Sequence, residues 1–73
     1  MKSKVFAVLF RSKNDAYILG NFKRYASATR AIRARAKQIA PKLELKSYSP
    51  MGFYFDSKKS SGLFEIHVLQ VNP

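Results

Sequence analysis

Only one stretch of this chain repeats its apolar residues at the spacing of a helix. At about 100° per residue, five of them share one face: Tyr25, Ala28, Ile32, Ala36 and Ile39. Interior alanines and the absence of glycine predict a helix over Ala28 to Ile39, with Ser27 as its N-cap. Pro41 ends this helix, because proline forces the residue before it out of the helical region. The rest of the chain is therefore left to strands and loops.

The segments on either side of the helix carry the pattern of β-strands. Lys4 to Phe10 is apolar on both alternating faces, which predicts a well-covered strand. Ala16 to Phe22 predicts the returning strand of a hairpin, with Gly20 at a bulge. Three more strands are predicted after the helix, at Leu43 to Tyr48, Phe53 to Asp56 and Leu63 to Val71.

The order of these elements predicts the fold class. Two strands, one helix and three strands indicate a ββαβββ chain of the α+β class. The helix then packs on one face of a five-stranded antiparallel sheet. No linker or repeat interrupts the pattern, so residues 1–73 are predicted to form a single small domain.

Charge narrows the class of partner more than any motif does. The chain has 73 residues, with 14 Lys and Arg against 4 Asp and Glu, a net charge of +10. Residues 44–73 carry three charges of each sign, so residues 1–43 hold the whole surplus. This asymmetry predicts a polyanionic partner, usually nucleic acid and less often an anionic membrane or an acidic protein.

The basic residues of the helix are predicted to form a stripe. Arg30, Arg33 and Lys37 lie within about 60° of one another, opposite the apolar face. No acid occurs between Asp15 and Glu44, and like charges at this spacing repel unless a polyanion relieves them. The alternative is a solvated helix face without a partner. We predict a nucleic-acid-binding surface made of Arg11, Lys13, Lys23, Arg24, Arg30, Arg33 and Lys37.

The sheet face away from the helix is a second candidate surface. The residues predicted to face the helix are Leu43, Leu45, Phe53, Phe55, Phe64, Ile66 and Val68. Alternation then turns four residues outward: Lys46, Tyr48, Tyr54 and His67. These residue types stack bases and hold phosphates in single-strand-binding platforms. Two other interpretations stay open, namely aromatic pairs that support a half-exposed sheet and a partner interface. The chain is accordingly predicted to be a monomer or a homodimer through the outer sheet face.

Residues that could carry catalysis or hold a metal are few. His67 is the only histidine and there is no cysteine, so no metal site is predicted. The sequence contains neither a nucleophile elbow nor a phosphate-binding glycine loop. We therefore expect binding rather than catalysis, without a cofactor. Because no apolar run approaches the roughly 20 residues that a membrane helix needs, and cysteine is absent, we expect a cytoplasmic protein with no membrane partner.

The arrangement of elements also resembles a known family. A hairpin, an alanine-rich helix opened by "SATRAI" and three strands is similar to small phage-encoded anti-CRISPR proteins. Those nearest in pattern are the ββαβββ inhibitors of type I-F surveillance complexes. Residues 49–66 (SPMGFYFDSKKSSGLFEI) resemble the aromatic strand, lysine-containing loop and aromatic strand that follow the helix there. The resemblance implies an inhibitor of a host nucleoprotein complex, acting in the host cytoplasm. A basic inhibitor would have to bind an acidic patch, the guide RNA or the target DNA.

Two hypotheses about function follow from these observations. The first is a small basic nucleic-acid-binding accessory protein, which the resemblance implies is phage-encoded. Its contacts would run along a DNA or RNA backbone and select sequence weakly. The alternative is an anti-CRISPR-like inhibitor, whose basic face docks on an acidic surface of a host nucleoprotein complex. A ribosome-associated protein is a third and more distant interpretation.

Overall fold

The computed structural model describes residues 3–71, which form one helix and five strands in the predicted order. The strands are β1 (Ser3–Arg11), β2 (Ala16–Phe22), β3 (Lys46–Ser49), β4 (Gly52–Asp56) and β5 (Ser61–Val71). The helix, α1 (Tyr25–Ile39), lies between β2 and β3. All strand pairs are antiparallel, in the order β2-β1-β5-β4-β3. The predicted α+β fold is confirmed.

The two longest strands form the middle of the sheet. β1 pairs with β5 from Ser3 opposite Val71 to Arg11 opposite Leu63, without a break in register. As an interior strand, β1 therefore has a hydrogen-bonded neighbour along each of its edges.

The core lies between α1 and one face of the sheet. Its fully buried large side chains are Phe55, Phe64, Ile32 and Val8. The ring of Phe64 lies 4.8 Å from that of Phe10 and 6.2 Å from that of Phe55, measured between centroids. The helix adds Ala28 and Ala36, both buried, whose small side chains let its backbone approach the sheet.

The start of the helix differs from the prediction. The helix begins at Tyr25, and Ser27 is therefore not its N-cap. Arg24 holds that position in an extended conformation and makes no side-chain capping bond. Tertiary contacts stabilise the start instead. The Tyr25 hydroxyl donates a hydrogen bond to the carbonyl of Pro50, and its ring packs edge-on against Phe6 at 6.2 Å.

The end of the helix agrees with the prediction, but the next segment does not. Ala40 is the C-cap, immediately before Pro41. The predicted strand from Leu43 is wrong in its first half, because β3 begins only at Lys46. Leu43 and Leu45 nevertheless pack against the core. Their alternation with polar residues therefore indicated burial rather than pairing in the sheet.

The predicted irregularity at Gly20 is present. Val8 pairs with Gly20 while Leu9 pairs with Ile18, which leaves Leu19 as an extra residue in β2. Leu19 packs against the core. The bulge thus places Ile18 beside Leu9, on the face of the sheet that α1 does not cover.

The alternation of β5 defines the two faces of the sheet. Phe64 and Ile66 are buried under α1, as predicted, together with Phe53 and Phe55 on β4. Val68 follows on the same face, as predicted, but it is 42% exposed. The residues of β5 that alternate with them point to the opposite face, which we call the outer face: Leu63, Glu65, His67 and Leu69.

Candidate nucleic-acid interface

Three basic residues of α1 line one open cleft. Arg30, Arg33 and Lys37 are exposed and follow one another at spacings of three and four residues, so they lie along one side of the helix. The connection between α1 and β3 forms the opposite wall, and the cleft has a volume of about 670 Å³. The structure thus brings together the three residues on which the predicted stripe was centred.

The two walls of this cleft differ in character. The helix side is cationic, whereas the connection contributes the apolar side chains of Pro41, Leu43 and Leu45. Ala36 also contributes to the lining. A single acid, Glu44, lies on the wall opposite the cations. Such a cleft suits a negatively charged group that is attached to an apolar or planar body.

The cations of the cleft make no ion pair within the part of the chain that the structure describes. Within residues 3–71 the one ion pair shorter than 4.0 Å joins Arg11 Nε to Glu65 Oε1, at 3.7 Å. The helix itself contains no acid that could pair with Arg30, Arg33 or Lys37. Within the described residues no ion pair relieves their mutual repulsion, and Glu44 is the one acid that lines the same cleft.

Arg35 lies on the other flank of the helix and has a packing role. Its guanidinium carbon is 6.0 Å from the centroid of the Tyr17 ring, and its Nη1 donates a 3.4 Å hydrogen bond to Gln38 Oε1. These contacts hold a half-buried side chain over the β2 edge. Arg35 is accordingly separate from the cleft.

Lys23 and Arg24 lie near the opposite end of α1 from Lys37. Both are exposed in the connection between β2 and α1. Lys23 precedes the helix, so helical spacing does not align it with the stripe. The pair adds charge where the helix begins, apart from the cleft near its end.

Lys13 belongs to a second basic cluster that the sequence analysis did not predict. The hairpin tip, residues 12–15, meets the β4–β5 loop around a polar hollow of about 340 Å³. This arrangement places Lys58 and Lys59 beside Lys13, with Asp15 as the nearby acid. The consecutive lysines were visible in the sequence. Their proximity to the hairpin tip depends on the pairing of β1 with β5.

The predicted stacking face is only partly assembled. Lys46 pairs with Tyr54 across β3 and β4, and the rings of Tyr48 and Tyr54 have centroids 6.2 Å apart. His67 is exposed, but it lies further along β5, past Glu65. Three of the four residues therefore form one cluster, and His67 stands apart from it.

Arg11 is also on the outer face. It ends β1 and forms the ion pair with Glu65 described above. It therefore lies on the opposite side of the sheet from α1. Of the predicted basic residues, it is the one that the sheet separates from the helix cations.

Other kinds of site find no support in the described part of the chain. Residues 3–71 contain no group of three His, Asp or Glu side chains that could hold a metal ion. In the same range, no helix has the length and apolar character needed to cross a bilayer.

No family model, curated protein or solved structure matches this chain. The function of the chain is therefore inferred from the geometry and charge of its surfaces.

Proposed function

We propose that the protein binds the phosphate backbone of nucleic acid through Arg30, Arg33 and Lys37. The observation that supports this function is the cleft, where three cations that form no ion pair within residues 3–71 lie along one acid-free helix. Cations that neutralise phosphates release bound counterions, and this release supplies affinity without reading base sequence. The protein acts as a small accessory binding protein rather than as an enzyme.

Two further basic groups extend the proposed surface beyond the cleft. Lys23 and Arg24 lie at the start of α1, and Lys13 lies at the hairpin tip beside Lys58 and Lys59. In this proposal a nucleic-acid strand held in the cleft makes further phosphate contacts with these groups. In this proposal these groups strengthen binding, while the cleft is the main contact.

Fluorescence anisotropy against duplex DNA, single-stranded DNA and RNA at several salt concentrations tests the proposal. We expect affinity to fall steeply with salt. For duplex DNA, Arg30→Gln plus Arg33→Gln should reduce the log–log slope by about 1.8 if each contacts one phosphate. A matched control, Arg11→Gln plus Lys46→Gln, removes the same charge from the outer face and should change the slope much less.

Equal losses in the two double variants would contradict the proposal, because they would show that only net charge matters. Absence of binding to all three nucleic acids at low salt would also reject it. Circular dichroism of both variants is needed to show that the fold is retained.

The alternative is that the same cleft docks an acidic surface of a host nucleoprotein complex, as in an anti-CRISPR-like, phage-encoded inhibitor. The apolar wall of Pro41, Leu43 and Leu45 favours it, since protein interfaces combine an apolar centre with charged surroundings. This alternative predicts weak binding to free nucleic acid. It also predicts stoichiometric association with one host complex, which Arg30→Gln plus Arg33→Gln abolishes and the outer-face control retains.

A further inference from the structure

The outer face of the sheet carries the most exposed large apolar side chains of the described chain. The three most exposed large hydrophobic residues in the described chain are Ile18 at 62%, Tyr48 at 58% and Leu69 at 51%. All three lie on this face, where no helix covers them. A sheet face in water normally carries polar residues at alternate positions. This face departs from that pattern.

The apolar residues form a continuous run along β1 and onto β2, whereas Glu65 and His67 interrupt them on β5. The outward residues of β1 include Val5, Ala7 and Leu9 in succession. The strand pairings place Leu69 beside Val5 and Ile18 beside Leu9. The patch continues through Leu63 and Tyr54, which face each other across β4 and β5. Apolar patches of this kind on a small protein mark interaction surfaces.

The charges of the outer face differ from those of the molecule as a whole. The outward residues of its strands include Arg11 and Lys46 against Asp56 and Glu65, so these formal charges cancel. Arg11 and Glu65 already form an ion pair. The chain as a whole has a charge of +10. The surplus of positive charge therefore lies outside the outer face. Two identical outer faces can meet without strong local repulsion.

The area of the face is sufficient for a reversible dimer. The five strands have 9, 7, 4, 5 and 11 residues, and about half of their side chains point outward. At strand spacings of about 4.8 Å, this corresponds to roughly 600 Å² per copy. Two copies would bury about 1,200 Å², the lower end of the range for specific protein interfaces.

We propose that two copies of this chain associate through their outer faces, as two packed sheets with the helices on the outside. Sheets that pack in this way lie about 10 Å apart, with side chains from both filling the space between them. The two basic clefts then face away from each other and remain accessible. This proposal stands on the outer face alone and does not depend on nucleic-acid binding.

Sedimentation velocity over a range of protein and salt concentrations, without nucleic acid, tests the dimer. We expect dimerisation to strengthen as salt rises, because salt screens the repulsion between two chains of charge +10. This direction is opposite to that expected for nucleic-acid binding, so the two proposals can fail separately. A chain that is monomeric at every salt and protein concentration would overturn the dimer.

Neighbouring residues of β5 provide a matched pair of variants. Leu69→Asp places a charge on the outer face and should weaken dimerisation by about tenfold or more. Val68→Asp places the same charge on the preceding residue, which lies on the helix side of the sheet and is 42% exposed. It should leave dimerisation nearly unchanged. Thermal unfolding of dilute protein checks that both variants fold. If Leu69→Asp does not fold, Ile18→Asp is a second variant with a charge on the outer face.

Two outcomes would assign the outer face to something other than a second copy. Equal dimerisation constants for the Leu69 and Val68 variants would place the dimer interface elsewhere. Loss of single-stranded nucleic-acid binding in Tyr54→Ala, in a protein that sediments as a monomer, would make this face a stacking platform. Each of these results overturns the proposal.

Discussion

Both faces of the sheet carry large apolar side chains, but their surroundings differ. Towards α1, Val8, Phe10 and Phe64 are at most 3% exposed. On the outer face, Ile18 and Leu69 are more than half exposed although they sit on the same strands or their neighbours. The helix and the connection after it account for this difference. An apolar strand pattern therefore indicates that a face of the sheet can be buried. The structure shows which of the two faces is buried by other parts of the same chain.

The largest expected contrast is between truncations on the two faces. Phe64→Ala should lower the free energy of unfolding by about 3–5 kcal/mol, because it opens a cavity in the core. Ile18→Ala should change it by less than about 0.5 kcal/mol in dilute protein. Urea denaturation at low concentration measures both values. A comparable loss for Ile18→Ala would mean that the outer face contributes to the stability of the single chain.

Two glycines give the next contrast. A Cβ added at Gly62 would lie within 2.8 Å of the buried rings of Phe55 and Phe10, so Gly62→Ala should cost about 1–3 kcal/mol by overpacking. At Gly52 the added atom would meet the end of the Tyr48 ring, which is exposed and free to rotate away. We expect Gly52→Ala to cost less than Gly62→Ala. Thermal unfolding, where 1 kcal/mol corresponds to about 4–8 °C in a domain of this size, separates them.

A smaller effect tests how the helix is held over its face. Tyr25→Phe removes the hydrogen bond to the carbonyl of Pro50 and should cost about 0.5–1.5 kcal/mol. Tyr17→Phe is the control, since the Tyr17 ring packs on Phe10 and keeps that contact without its hydroxyl. Equal unfolding midpoints for the two variants would show that the bond at Pro50 does not stabilise the start of α1.

The smallest effect concerns charge on the two sides of the sheet. Arg30→Gln plus Arg33→Gln should raise stability by a few tenths of a kcal/mol at low salt, because it relieves repulsion along the helix. The gain should vanish near 1 M salt, where charges are screened over about 3 Å. Arg11→Gln breaks the ion pair with Glu65 and should lower stability by up to about 1 kcal/mol. Thermal unfolding at both salt concentrations checks the opposite signs, and a decrease in both variants would contradict the uncompensated repulsion proposed for α1.

Local sequence was sufficient to predict the structure where nearby residues determine it. The bounds of β2, the bulge at Gly20 and the end of α1 before Pro41 were all predicted. Local sequence failed where distant contacts decide. The start of α1 depends on Tyr25 reaching the β3–β4 turn, and no neighbouring residue in the sequence indicates that contact.

The same distinction applies to the candidate sites. Helical spacing was enough to group Arg30, Arg33 and Lys37, because all three lie on one element. The apolar wall opposite them was missed, since Leu43 and Leu45 have the alternation of a strand but belong to an irregular segment. The lysines of the β4–β5 loop were missed because strand order, which alternation does not reveal, brings them to the hairpin tip.

The central ladder of the sheet has a consequence for the order of folding. Every residue of β1 pairs with a residue of β5 that lies more than 50 positions away along the chain. Closing such long loops is slow, so we expect folding on the millisecond-to-second scale of non-local β-proteins. Until β5 arrives, β1 exposes one hydrogen-bonding edge together with its apolar face. A chain in which β5 has not yet paired is therefore at risk of aggregation, and the pairing of residues 61–71 with β1 ends that risk.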